Sequence, residues 1–230
     1  MKSIVFDTGP IITLAMNNLL WLLEPLKKMS SSEFLITDLV KQELVDNPLT
    51  RTKRFKFEAL QVLHYIENNT LSVTPGDSIR LKTEELALIA NSCFSAFGRD
   101  MKIVHDAEMS SIAIYLQRKS DAFVVDEKTT RLLIENPLKL HNILKHSLHA
   151  SITINKSNIR KFQDMTKGVR MIRSAELAII AYEKGLLDQY LPKMPDGRKE
   201  LLESVLWGVK LGGSAITKSE IEQVVRMEIK

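Results

Sequence analysis

Three short apolar runs, each closing on a polar residue able to open a helix, constrain this chain more than any other feature. Ser3-Ile4-Val5-Phe6 stops at Asp7-Thr8-Gly9-Pro10, Glu33-Phe34-Leu35-Ile36 at Thr37-Asp38, and Ala122-Phe123-Val124-Val125 at Asp126. Apolar runs without alternation belong to strands buried on both faces, and helical stretches between them make the strands parallel. The expected class is therefore α/β, a parallel sheet with helices on both sides.

The helical stretches can be bounded. Pro10 suits the first turn of a helix over about Ile11–Leu23, and Thr37-Asp38 can cap a helix from Leu39 that Pro48 ends or kinks. Helical spacing returns over Arg51–Asn68, with Phe55, Ala59, Leu60, Leu63 and Ile66 as its apolar stripe. It recurs over Lys82–Phe97, Ala107–Leu116 and Thr129–Ile134, while Leu71–Val73 and Ser151–Ile154 read as further strands. Helices over about Ser174–Lys184, Lys199–Leu211 and Thr217–Met227 close the chain. No flexible linker precedes them, so they are expected to pack on the same domain.

Residues that follow parallel strands project into the crevice at the carboxyl edge of the sheet, where open α/β sheets bind ligands. Asp7 and Asp126 occupy such positions, Glu43 lies in the helix after the second run, and Glu108 opens the helix before the third. Hard carboxylate oxygens suit Mg²⁺ or Mn²⁺, and ions so held could serve phosphodiester hydrolysis. Taken singly these residues have plainer readings. Asp7 suits capping the helix behind Pro10, and Glu43 suits a solvated helical surface. Four like charges in one cleft, however, repel one another unless a cation is present.

The ordered set resembles the PIN-domain ribonuclease family, in particular its prokaryotic VapC-like, nucleic-acid-binding branch. The resemblance rests on Asp7-Thr8-Gly9-Pro10, on Ala107-Glu108-Met109-Ser110-Ser111-Ile112, and on Val125-Asp126-Glu127 with Arg131. Ala178–Leu187 and Gly212–Ser219 resemble that branch's last helices. Two departures stand out: Ala107 replaces the usual Gly before the third acid, and Glu127 replaces a second Asp. Asp106 competes with Glu108 for the third acid, although the spacing of eighteen residues to Asp126 favours Glu108.

The resemblance implies a three-layer α/β/α PIN-like domain with a central parallel sheet and a helical C-terminal extension. It would span residues 1–230, with enlarged segments at about 51–100 and 137–169 and C-terminal helices at about 174–230. The implied activity is that of a Mg²⁺- or Mn²⁺-dependent endoribonuclease leaving a 3′-hydroxyl and a 5′-phosphate. Asp7, Glu108 and Asp126 would be the principal ligands, with Glu43 binding directly or through water. Thr8 would support Asp7 or a metal-bound water, Glu127 would stand behind the ligands, and Arg131 would contact phosphate. The implied partners are RNA, an antitoxin and a second copy of the chain. The alternative is a PIN-like RNA-binding or regulatory module without turnover, and a different metal-dependent phosphatase or nuclease acting on DNA is a further rival.

Composition narrows the field without deciding it. A net charge of +4 and a pI near 9.0 are compatible with a polyanion. One cysteine, Cys93, permits no internal disulfide or sulfur-rich zinc site, which suits a reducing cytoplasmic location. No stretch is apolar enough for a membrane span; Ile11–Leu26 is broken by Asn17, Asn18 and Glu24. His141, His146 and His149 lack zinc-site spacing, while His64 and His105 stand alone. Arg51–Phe57 mixes bases with aromatics and could grip RNA, although Phe55 and Phe57 are expected to face the core. Lys156, Arg160, Lys161, Lys167, Arg170 and Arg173 form a second basic stretch. Nucleotide-loop and nucleophile-elbow motifs are absent.

Overall fold

A computed structural model describes residues 2–229. The first part of the chain comprises β1 (Ser3–Phe6), α1 (Thr8–Met16), α2 (Leu23–Ser30), β2 (Glu33–Thr37), α3 (Asp38–Lys41), α4 (Asn47–Thr50), α5 (Lys56–Glu67) and β3 (Ser72–Thr74). The middle comprises α6 (Arg80–Asn91), β4 (Phe94–Ala96), β5 (Arg99–Asp100), α7 (Asp106–Arg118), β6 (Ala122–Val124), α8 (Lys128–Glu135) and α9 (Pro137–Leu148). The remainder is β7 (Ile152–Ile154), α10 (Lys156–Met165), β8 (Met171–Ile172), α11 (Ser174–Glu183), α12 (Gly197–Leu211) and α13 (Lys218–Glu228).

The central sheet has the order β3-β2-β1-β6-β8, with every pair parallel. Alternate residues of each strand enter different cores. Phe6, Phe34, Ile36 and Val124 join one apolar cluster with Leu14 of α1, Ala178 of α11, Leu206 of α12 and Val225 of α13. Val5, Leu35 and Phe123 join the other with Leu86 of α6, Ile112 of α7 and Phe162 of α10. Helices thus cover both faces in an α/β/α sandwich, and the C-terminal helices share a core with the first strands. Burial on both faces explains why these strands read as continuous apolar runs.

Several expected boundaries are corrected. The helix expected over Ile11–Leu23 breaks at Asn17-Asn18, where Asn18 adopts φ 54°, and resumes as a 3-10 turn at Leu20–Leu22 leading into α2. The helix expected over Lys82–Phe97 ends at Asn91, because Phe94–Ala96 pairs with Ile152–Ile154 and Arg99–Asp100. That pairing places Ser151–Ile154 in a separate antiparallel sheet, β5-β4-β7, and not in the central one. Leu60 and Phe57 are exposed, Phe57 by 70%, whereas Ala59 and Val62 carry the buried side of α5. No described helix is long and apolar enough to cross a membrane.

Candidate metal centre

The sheet order locates a crevice. From β1 the chain crosses to β2 and β3 on one side, whereas β6 and β8 lie on the other. The reversal falls between β1 and β6, and ligand crevices of open α/β sheets form outside such a pair. Asp7 and Asp126 lie just beyond those two strands, and the backbone N–H of Asp7 donates to Val124 O at 3.0 Å. A cleft of about 230 Å³ opens here, lined by Asp7, Thr8, Glu43, His105, Ala107, Glu108, Asp126, Glu127, Gly212 and Gly213, among others.

Each acid arrives by a different local device. Asp7 is the N-cap residue of α1 but makes no capping hydrogen bond with its side chain. Glu43 rides on a π turn, Gln42–Asp46, in which Asn47 N–H reaches back to Gln42 O. Pro48 accounts for the widening: an α-helical course would drive its ring against the Leu44 carbonyl, and it has no N–H to bond there. Thr8 Oγ1 donates to Glu43 Oε2 at 2.6 Å, so Thr8 supports Glu43 and not Asp7. Glu108 is in the first turn of α7, which docks onto β2 through a 2.8 Å hydrogen bond between Ser110 Oγ and Thr37 Oγ1. Glu108 Oε2 accepts from Thr130 Oγ1 at 2.7 Å and from His105 N at 3.2 Å.

Asp126 is the most heavily bonded of the four. Its Oδ1 accepts from Ser174 N at 2.9 Å and Ser214 Oγ at 3.0 Å, and its Oδ2 from Ser174 Oγ at 2.7 Å. Asp7 is the reverse case, for Asp7 Oδ1 is buried and has no hydrogen-bond partner. Asp7, Glu108 and Asp126 are only 4%, 8% and 4% exposed, whereas Glu43 is exposed.

Electrostatics sharpen the difference. Burial first, then the charges of Glu108 and Glu43, push the Asp7 carboxyl up to about 8. The nearby amides of Thr8 and Gly9 offset this only in part, and neither donates to Asp7 in capping geometry. Glu108 is also raised, chiefly by burial and less by Glu127, against the opposing hydrogen bonds from Thr130 and His105.

Among the described residues no three His, Cys, Asp or Glu side chains already form a cage tight enough for an ion. Thr8 and Thr130 each hold one oxygen of a neighbouring acid, which helps keep the like charges apart. The donor set nevertheless fits a hard divalent cation, because the cleft offers carboxylate oxygens and a buried, unpartnered Asp7 Oδ1.

The remaining sequence candidates separate. Glu127 lines the cleft but caps α8 through Thr129 N at 3.0 Å. Arg131 is not among the cleft-lining residues; its Nη2 lies 3.9 Å from Glu135. Asp106 faces a different cavity of about 290 Å³ shared with Asp38, Asp77, Arg80 and Glu84, which leaves Glu108 as the acid of this helix in the cleft. Ala107 lies within the first turn of α7 and outside the positive-φ residues, so glycine is not needed there for backbone reasons. His141 bonds Ile152 O and stacks on Phe94. Cys93 is buried, and its thiol is pushed up to about 12 by burial, so it is inert packing.

Sequence reasoning missed His105, Thr130, Ser174 and Ser214. His105 and Thr130 are tied to Glu108, which the helix-capping pattern at α7 partly signals. Ser174 and Ser214 lie 48 and 88 positions from Asp126, beyond the reach of any spacing rule.

A family model described as a PIN domain matches residues 3–141, a span that holds all four acids and leaves Ser174 and Ser214 outside. No curated protein and no solved structure matches the chain.

Proposed function

Because this chain belongs to the PIN-domain family, a nuclease-type fold, we propose that it is a Mg²⁺- or Mn²⁺-dependent endoribonuclease. The observation that supports this reading best is the convergence of Asp7, Glu43, Glu108 and Asp126 on one cleft, with Asp7 Oδ1 buried and uncompensated. A buried carboxyl that costs the fold stability unless it is protonated or met by a cation is a mark of function.

Asp7, Glu108 and Asp126 would hold the ion, and Glu43 would reach it directly or through water. When bound, the ion supplies Lewis-acid neutralisation of phosphoryl charge and lowers the pKa of water. The chain's own contribution is orientation. Thr8 turns Glu43, Thr130 and the His105 amide turn Glu108, and Ser174 with Ser214 turns Asp126. Gly212 and Gly213, in the turn that carries Ser214, complete the cleft wall.

The test is cleavage of labelled single-stranded RNA with Mn²⁺ by the native chain, Asp7→Asn and Asp126→Asn. We expect cleavage by the native protein and at least ~100-fold loss in each variant, since removal of a ligand disturbs the ion that carries the reaction. Equal rates in all three would defeat the assignment. A second reading, an RNA-binding module without turnover, draws on Glu127 being engaged as a helix cap. Tight RNA binding with intact RNA at saturating Mn²⁺ would favour it. Parallel assays on single-stranded DNA and a simple phosphate ester test the choice of substrate.

A further inference from the structure

We propose that Ser214, in the turn after α12, is a positioning residue that aims Asp126 at the ion, so that the centre is completed by chain lying beyond the PIN-matched segment. The inference rests on the reading above in which Asp126 is a metal ligand.

Ser174 by itself would satisfy Asp126 as a structural group. Its backbone N–H and hydroxyl take one oxygen each, at 2.9 and 2.7 Å, and in doing so Asp126 meets an N–H of the first turn of α11. Folding of that helix end needs no more. Ser214 adds a third donor, at 3.0 Å, to the oxygen that already has one. A carboxylate oxygen offers about two lone-pair sites, so Oδ1 is filled and Oδ2 keeps one. The carboxylate is therefore fixed in rotation, with its unused acceptor on a single oxygen.

The turn that carries Ser214 is anchored on several sides. Thr13 Oγ1 donates to Gly212 O at 3.3 Å, Lys210 Nζ to Ile216 O at 2.7 Å, and Arg173 Nη1 to Ala215 O at 3.2 Å. Arg173 also bonds Glu176 of α11 and, at 2.9 Å, Glu220 of α13. A Cβ on Gly212 would meet Asn17 Nδ2 at 2.5 Å, and Gly213 adopts φ 126°, so the two glycines let the turn come this close to α1. Ser214 is 4% exposed. A buried hydroxyl on a turn anchored from Thr13, Lys210 and Arg173, and given to an acid that is already capped, is better explained by aim than by satisfaction.

The same arrangement recurs once on each of two other acids, with Thr8 on Glu43 and Thr130 on Glu108. Asp7 alone has no hydroxyl, and its Oδ1 is the orphaned oxygen.

The measurement is Mn²⁺ affinity of the full chain by titration calorimetry, for the native protein, Ser214→Ala and Asp126→Asn, with circular dichroism as the check on folding. We expect Ser214→Ala to bind Mn²⁺ ~10–100-fold more weakly while remaining folded, the usual effect of losing a group that orients a ligand. Asp126→Asn should lose binding further. Native affinity in Ser214→Ala together with loss in Asp126→Asn would overturn the positioning role and leave the metal reading intact. Native affinity in both would overturn both. Should Ser214→Ala fail to fold, Ser214→Thr and Ser214→Val decide the matter, being alike in shape and different in the hydroxyl. Weaker binding by the Val variant supports the proposal, and equal binding by the two refutes it.

Discussion

Replacing Asp7 by Asn should make the metal-free protein more stable, and increasingly so as pH rises. Asp7 is buried, its Oδ1 has no partner, and its carboxyl is pushed from 3.8 up to about 8, first by burial and then by Glu108 and Glu43. The folded state therefore holds a proton that the unfolded chain releases near pH 3.8. Across the window from 3.8 to about 8 the native protein loses stability with rising pH, at a slope of up to ~1.4 kcal/mol per unit for one proton. Below the window the contribution is complete, and above it the penalty is constant. The gap sets a ceiling of roughly 5–6 kcal/mol. Rotation of the carboxyl toward the open cleft would relieve part of it, so about 2–3 kcal/mol at pH 8 is the expected gain for Asn.

Asn serves as an N-cap about as well as Asp, and the Asp7 side chain makes no capping bond, so α1 should not suffer. Urea denaturation of both proteins in EDTA at pH 5 and pH 8 measures the effect. The variant's advantage should widen between the two. Saturating Mn²⁺ should then raise the native protein and leave Asp7→Asn nearly unchanged, because binding to the native state stabilises by mass action. Parallel stability curves, or an advantage that does not change with pH, would show that Asp7 is an ordinary carboxylate and remove the argument for a cation beside it.

Two further outcomes concern the scaffold. Arg173→Met removes the guanidinium shared by Glu176, Glu220 and Ala215 O, and urea denaturation at pH 7 should show a loss of about 1–3 kcal/mol. For Glu220, burial alone would raise the pKa, but hydrogen bonds from Thr217 and Arg173 outweigh it and hold the group at about 2. Its contribution is therefore present above 4.5 and lost as pH falls toward 2, so an undiminished Arg173→Met penalty in acid would contradict the pairing. Phe97 occupies the tight turn between β4 and β5 at φ 52° and is 88% exposed, so Phe97→Asn should raise stability by ~0.5–1 kcal/mol in the same assay. No gain would mean that the ring has a partner in solution.

The parts of this fold that were legible in sequence are those in which local chemistry and global structure agree. β1, β2 and β6 announce themselves because burial on both faces demands unbroken apolar runs, and Thr37 marks its helix because its hydroxyl caps Val40 N at 3.2 Å. β8 was missed because a two-residue strand has no period; Met171–Ile172 is a strand only through its pairing with Phe123–Val124. Phe94–Ala96 continues the apolar spacing of α6, and only the distant partner Ile152–Ile154 draws it into a sheet. Asp7 and Asp126 follow strands and Glu108 opens a helix, positions that local chemistry marks, whereas Glu43 sits within a helical stretch on a π turn that no local pattern announces.

What holds Asp126 was not readable, and this bears on how such a site is built. Asp126 comes from the strand-and-loop frame shared with the PIN family, yet the donors that fix it come from α11 and from the turn after α12, outside the matched span. The frame holds Glu43 and Glu108 with its own Thr8, Thr130 and His105, whereas Asp126 takes its donors from the C-terminal part. Those helices also bury Leu206, Ile221 and Val225 in the core that contains Phe6 and Val124, so their docking and the orientation of Asp126 depend on the same packing. A core substitution such as Leu206→Ala, far from the acids in sequence, should therefore cost about 2–5 kcal/mol in urea denaturation. It should also weaken Mn²⁺ binding at temperatures where the chain remains folded. Lost stability with unchanged affinity would mean that the helices cover the sheet and do nothing to aim the acid.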